Sequence, residues 1–291
     1  MPRADREGSR AKLSEADESG KLASSKDSKT FTAANRAAWD EAASIHAAQN
    51  MGKLRSAFAE PGYVSLDAHL TERLHEIGVA DKRVAQLCCN NGEELISVRN
   101  MGASSCVGFD HSENFLSQAR ELAEIAGVSE SVRFEAIDIY DIDAEYDDHF
   151  DIVLTTIGVF SWMPNLPAFF AVIARLLKPG GYLLSEEIHP VLMMYEESRT
   201  GGPSYVAYSY FKKEPWKDTD GLDYYGGSTY DAKPAYSFQH TMSDILMAGI
   251  DNGLTLRHMV ELDFDISLFC RDLEDSEAVP PLGFTMVMRK E

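Results

Sequence analysis

Basic charge is scarce in this 291-residue chain: 27 lysines and arginines stand against 47 aspartates and glutamates, a formal net charge of −20. Such a chain repels nucleic-acid phosphates rather than neutralising them, so no nucleic-acid partner is expected. Cysteine is scarce too. Cys88, Cys89, Cys106 and Cys270 form no C-x-x-C pair and have no histidine at zinc spacing, which argues against a metal site and for unbridged thiols in a reducing compartment. No apolar run approaches the roughly 18 residues of a membrane span. The first residues are polar and lack an apolar signal region, so a cytoplasmic protein without membrane contact is expected. A glycine fingerprint is also missing. The stretch from Arg83 to Ile96 reads as strand, tight turn and helix start, but Cys88 and Asn90 stand where glycines would mark a nucleotide-binding turn, and only Gly92 remains.

What is present is an alternation of strands and helices. Residues 1–30 are polar and charged with almost no large apolar side chains, which predicts a disordered tail. Trp39, Ala42, Ala43 and His46 share a helical face, with Asn35 as its expected cap, and Leu66, Leu70, Leu74 and Ile77 form a second stripe ending at Gly78. These make a helical cap over residues 31–80. From 81 to 291 strands are predicted at Val84–Leu87, Ser105–Asp110, Val132–Ile137, Phe150–Leu154, Tyr182–Ser185, Thr255–Glu261 and Phe284–Arg289, with amphipathic helices between them. That spacing implies an α/β fold, a doubly wound, mostly parallel, seven-stranded sheet. Residues 190–235 break the rhythm, and seven tyrosines lie between Tyr195 and Tyr230. A long aromatic insertion of this kind is expected to be a lid.

In such a sheet the ligand sits beyond the carboxyl ends of the strands. There lie Gln86 to Gly92, Asp110, Asp138 with Ile139, Thr155 with Thr156, and Glu186 to Pro190. Asp110 ends the second strand, where an acid is placed to accept ribose hydroxyls.

The series resembles class I S-adenosylmethionine-dependent methyltransferases. The matching pieces are Val84 to Gly92, Gly108-Phe109-Asp110-His111-Ser112, Glu135-Ala136-Ile137-Asp138, Phe150-Asp151-Ile152-Val153 and Leu176-Leu177-Lys178-Pro179-Gly180-Gly181. Cys89 to Glu94, with the later Glu186-Glu187-Ile188-His189-Pro190, is similar to a branch with an atypical glycine loop. The usual first motif, D-x-G-x-G-x-G, has Gln86 in place of its acid. An amide accepts a hydrogen bond without charge assistance, roughly half as strongly.

The resemblance implies S-adenosylmethionine as cofactor. Gln86, Cys88, Asn90 and Gly92 would border its methionine, Asp110 its ribose, and Asp138 and Ile139 its adenine, with Thr155 and Thr156 beside the sulfonium and His111 among the cofactor-binding residues. His189 is the expected general base and His240 the second choice. Trp39, Trp162 and Tyr195 are the expected acceptor wall. The chain then reads as a methyltransferase for a small-molecule acceptor, working as a monomer or homodimer. Two alternatives stand beside it: an NAD-dependent oxidoreductase on the same sheet edge, and a non-catalytic S-adenosylmethionine-binding protein.

Overall fold

Apolar side chains alternate along each central strand, so every strand has two buried faces. Val84, Ile152, Leu154 and Leu184 pack to one side, and Ala85, Leu87, Val153 and Leu183 to the other. A sheet buried on both faces needs a helical layer on each. The computed structural model describes residues 25–196 and 202–291, and it has this architecture.

The strands are β1 (Arg83–Leu87), β2 (Ser105–Asp110), β3 (Val132–Ala136), β4 (Phe150–Thr155) and β5 (Leu177–Ile188), then two short ribbons, β6 (Tyr195–Glu196) with β7 (Tyr205–Val206) and β8 (Trp216–Asp218) with β9 (Ala235–Ser237), and finally β10 (Leu254–Leu262) and β11 (Gly283–Lys290). The main sheet has the order β10-β11-β5-β4-β1-β2-β3. Only β11 runs against its neighbours. The Lys178–Gly181 turn, expected to precede the fifth strand, is a bulge inside β5: the register against β4 shifts between Phe150 and Ile152.

One helical layer holds α2 (Gly52–Phe58), α3 (Ala68–Ile77), α4 (Glu93–Asn100) and α5 (Glu113–Ile125); the other holds α7 (Leu166–Leu176) and α8 (Met242–Asp251). Their ends follow capping chemistry. Asp67, Ser112 and Asn165 each accept a backbone N–H at an N-terminus, Thr241 and Asp244 form a capping box, and Gly78 closes α3 in the left-handed region. A single turn, α6 (Val159–Trp162), follows β4.

The leading helix, α1 (Ser25–His46), corrects two expectations. It starts inside the segment read as a tail, of which residues 1–24 lie outside the described residues. Asn35 is not its cap but a mid-helix clamp: Nδ2 donates to the Tyr236 carbonyl at 2.9 Å and Oδ1 accepts the Tyr236 N–H at 2.7 Å. Two such bonds satisfy both backbone groups of one β9 residue, each worth about 1 kcal/mol. A π-helical turn (Ala47–Met51) joins α1 to α2. None of the described helices is long and apolar enough to cross a membrane.

Candidate active site

The loop from β1 to α4 keeps a glycine-type backbone without the glycines. Cys88 (φ +57°), Asn90 (φ +50°) and Gly92 (φ +71°) all lie in the left-handed region. Asn tolerates that region through its short polar side chain, whereas a cysteine there is held against its preference. At Gly92 a Cβ would come within 2.6 Å of the Phe134 ring and 2.9 Å of Ala119, so both conformation and space demand glycine. Asp110 holds the loop in shape. One carboxylate oxygen accepts the Asn90 N–H at 2.9 Å and the other the Ser112 N–H at 2.8 Å. Strand β2 thereby fixes the turn that follows β1.

Gln86, at the end of β1, is 1% exposed. Its Nε2 donates to Glu94 at 2.5 Å and to Thr156 Oγ1 at 3.2 Å, and Thr156 in turn donates to the same Glu94 oxygen. Its Oε1 is buried with no partner, a state that normally costs about 1–3 kcal/mol. Burial pushes the Glu94 carboxyl up, against the bonds from Thr156 and Gln86 that favour its charge. Glu93 next to it is pushed up to about 7 by burial and then by the Glu94 charge. In sequence these two acids read as ordinary helix-dipole partners. In the fold the Glu94 carboxyl group lies beside the Gln86 amide and the Thr156 hydroxyl.

Asp138 is not a solvated loop acid. Its Oδ1 accepts the Tyr140 N–H at 3.1 Å, and its Oδ2 accepts the Thr32 hydroxyl at 2.6 Å. Ile139 is buried beside it, and Lys29 pairs with Asp141 one step further on. The N-terminal half of α1 therefore lies against the end of β3. His111, half-buried, directly follows Asp110.

Aromatic rings gather where α1, α5, α6 and the insertion meet. Trp39 stands edge-to-face with Trp162 at 5.3 Å and with Phe115 at 6.0 Å, and His46 with Tyr224 at 4.5 Å. Tyr224 keeps 53% of its surface accessible. Its hydroxyl is nonetheless desolvated, which, with Tyr225, Glu93 and Glu94 near it, drives its pKa well above the usual phenol value. The insertion is tied there at two points: the Leu222 carbonyl accepts from His46 Nε2 at 2.6 Å, and Asp223 accepts from Gln49 of the π turn; just beyond it the Phe238 N–H donates to the Ser161 carbonyl. His46 Nδ1 is buried without a partner.

Four expected site residues lie elsewhere. His189 is a loop anchor: Nδ1 accepts the Val191 N–H at 3.1 Å, and Nε2 faces Glu261 of edge strand β10 at 3.1 Å without hydrogen-bond alignment. The ring thus points toward the edge away from β1, and burial holds its pKa low despite Glu261. His240 donates Nε2–H to the Met163 carbonyl at 2.9 Å and is likewise held low by burial. Thr155 is fully buried and donates to Ser185 at 2.8 Å, which leaves Thr156 facing the Gln86 network. Tyr195 packs on a satellite cluster of Leu192, Cys270, Leu273 and Leu282. Tyr224 and Tyr225 instead pack against His46. Glu187, given no role by the sequence, accepts the Gly158 N–H at 2.8 Å and the Phe160 N–H at 3.3 Å. It fixes the turn that presents Trp162. Its only signal was a pair of acids at the carboxyl end of a strand. Among the described residues no group of three or more His, Cys, Asp or Glu side chains is placed to hold a metal ion.

Residues 79–218 match a family model described as a methyltransferase domain. The sheet order, with helices on both faces, is that of the Rossmann-like methyltransferase fold. A protein of Haemophilus influenzae with no assigned activity is 29% identical over 125 residues, 41% of this chain and 47% of that protein. The ubiquinone biosynthesis O-methyltransferase of Neisseria meningitidis is 30% identical over 108 residues, 37% of this chain and 44% of that enzyme. The chain thus spans about half the length of the curated relatives it matches. The crystal structure of an S-adenosylmethionine-dependent methyltransferase from Mesorhizobium loti superposes with a TM-score of 0.57 over 76% of this chain and 96% of that one, at 20% identity. That likeness is one of fold.

Proposed function

We propose that the protein transfers a methyl group from S-adenosylmethionine to a small-molecule acceptor. The observation that carries this reading is the Asp110 clamp on a loop with three left-handed residues. A backbone shape that costs energy is maintained where the methyl donor's amino acid and ribose would meet the sheet edge. The residues fit that donor. Gln86 Oε1 is a buried acceptor in need of a donor, and Glu94 places a carboxylate beside it, suited to an ammonium group. Asp110 retains lone pairs for ribose hydroxyls after accepting its two N–H bonds. His111 borders the same sugar, and Asp138 and Ile139 border the base, with α1 tied to Asp138 through Thr32.

The bound sulfonium supplies an already activated methyl group. The chain's own task is then alignment and exclusion of water. Trp39, Trp162, Tyr224 and Tyr225 would form the acceptor wall, with the described part of the 190–235 insertion as its lid. The net charge of −20 favours a small acceptor over a nucleic acid.

Neither rival has a specific observation behind it. A dinucleotide dehydrogenase sheet runs parallel in the order 3-2-1-4-5-6, whereas here an antiparallel β11 sits between β5 and β10. The reading as a binder without turnover rests on the missing acid at position 86, and Glu94 brings a carboxyl group to that amide. Calorimetry with S-adenosylmethionine and with NAD tests the reading. S-adenosylmethionine should bind, and Asp110→Ala should weaken it at least tenfold. Binding of NAD alone would overturn it.

A further inference from the structure

His46 closes α1 with its side chain 1% exposed. Its ring stands edge-to-face with four others: Tyr224 at 4.5 Å, Tyr225 at 5.2 Å, Phe115 at 5.4 Å and Trp39 at 6.1 Å. Nε2 lies 2.6 Å from the Leu222 carbonyl. A carbonyl only accepts, so the ring proton is on Nε2 and Nδ1 keeps its lone pair. That nitrogen is buried and has no partner. The tie to the insertion uses Nε2 alone, which leaves Nδ1 without a structural task. A buried acceptor of this kind calls for an O–H or N–H from outside the fold.

The elements around His46 tie it to the donor side of the site. Phe115 lies in the first turn of α5, whose cap Ser112 donates its N–H to Asp110 at 2.8 Å and its hydroxyl to Asp40 of α1 at 2.7 Å. On the opposite side, Glu93 and Glu94 act on the Tyr224 hydroxyl, and Glu94 is the partner of Gln86. Tyr224 and Tyr225 are half-exposed and lie between Gly221 (φ +100°) and Gly227 (φ +64°). Backbone freedom at both ends of this segment lets the two rings part for a ligand.

We propose that His46 is the general base of the methyl transfer and that the acceptor is a phenolic hydroxyl, donated to Nδ1 from an aromatic body lying among the surrounding rings. The inference rests on the methyltransferase reading above. Nδ1 can only accept, so the acceptor arrives carrying its proton. An aliphatic hydroxyl is too weak an acid for imidazole, whereas a phenol, at about 10, is within reach. Burial holds the ring neutral and therefore basic at neutral pH. In the step the O–H proton passes to Nδ1, and the oxygen pair forms the O–C bond. The donor's S–C bond breaks with its pair left on sulfur. Positive charge thus moves from sulfonium to imidazolium, and the net charge of the buried site does not change. Asp223 favours that imidazolium, its own carboxyl held down to about 2 by bonds from Ser228 and Gly226.

The test is methyl transfer by the full chain from methyl-labelled S-adenosylmethionine to phenol and to 2-naphthol, in the parent and in H46Q. Glutamine keeps an N–H for Leu222 and cannot take a proton. At about pH 7 the variant should lose at least about 100-fold in kcat/KM, as expected for a missing base. The loss should shrink roughly tenfold per pH unit toward about pH 9, as the phenol ionises unaided. S-adenosylhomocysteine affinity should stay within about threefold of the parent, whose own rate should fall in acid below the ordinary imidazole value of 6.5. A loss that is the same at every pH makes His46 structural and overturns the proposal. So does a variant that loses S-adenosylhomocysteine, which would assign the ring to the donor. A parent that binds S-adenosylhomocysteine and methylates neither phenol overturns the proposal and leaves the methyltransferase reading standing. A parent that binds no S-adenosylhomocysteine overturns both. Should H46Q not fold, a parent rate unchanged between about pH 5 and about pH 8 still overturns the proposal.

Discussion

Gln86 and Glu94 act as one unit: the amide of the first donates to the carboxylate of the second at 2.5 Å, across the turn that separates β1 from α4. A carboxyl group eight residues along the chain thus meets the amide that stands where the family pattern has its first-motif acid.

This pairing predicts the effect of restoring the acid. Gln86→Glu should weaken S-adenosylhomocysteine binding by about tenfold, because two buried carboxylates would then face each other. Adding Glu94→Gln to the same chain should bring affinity back to within about threefold of the parent, a coupling that a double-mutant cycle reads directly. A gain in affinity for Gln86→Glu alone would show that Glu94 does not carry the charge.

Asn90 predicts a conformational effect on stability. At φ +50°, Asn90→Gly should change unfolding free energy by less than about 0.5 kcal/mol, since glycine's chain entropy offsets the strain it relieves. Asn90→Val should destabilise by about 1–2 kcal/mol, because a β-branched side chain resists the left-handed region. Denaturant unfolding measures both, and equal stability of the two variants would remove the argument from strain.

His189 separates an anchor from a base. With Nδ1 committed to the Val191 N–H and the ring buried, His189→Ala should cost about 1–3 kcal/mol of stability. The pH dependence of methyl transfer should keep its shape. Loss of a limb of that profile would return His189 to the chemistry.

Glu186 makes stability depend on pH with a defined sign. Its carboxyl holds the proton up to about 9 in the fold, against 4.5 as its ordinary value. Between those values the native state binds more protons than the unfolded chain. The contribution of this group is therefore complete below 4.5 and is lost as pH rises toward 9. From about pH 5 to about pH 9 the parent should lose more melting temperature than Glu186→Gln, which cannot ionise. Parallel melting curves would contradict the raised value.

Local pattern determined much of this protein. Strand alternation, helix caps such as Asp67 and Gly78, and the acid at the end of β2 depend on neighbours a few residues apart, so the seven-stranded sheet and Asp110 were legible in the linear chain. Side-chain direction was not. His189 and His240 stand at suitable places in sequence, yet each ring turned to satisfy a nearby backbone group, and Thr155 turned into the sheet toward Ser185. A strand gives each residue two faces, and the sequence does not say which neighbour lies across the register. Asn35 and Tyr236, 201 residues apart, and Gln86 with Glu94 had no periodicity to reveal them. Contacts of that kind exist only once the layers have packed. Tertiary structure alone therefore decided which carboxyl group meets the Gln86 amide and which tyrosines pack against His46.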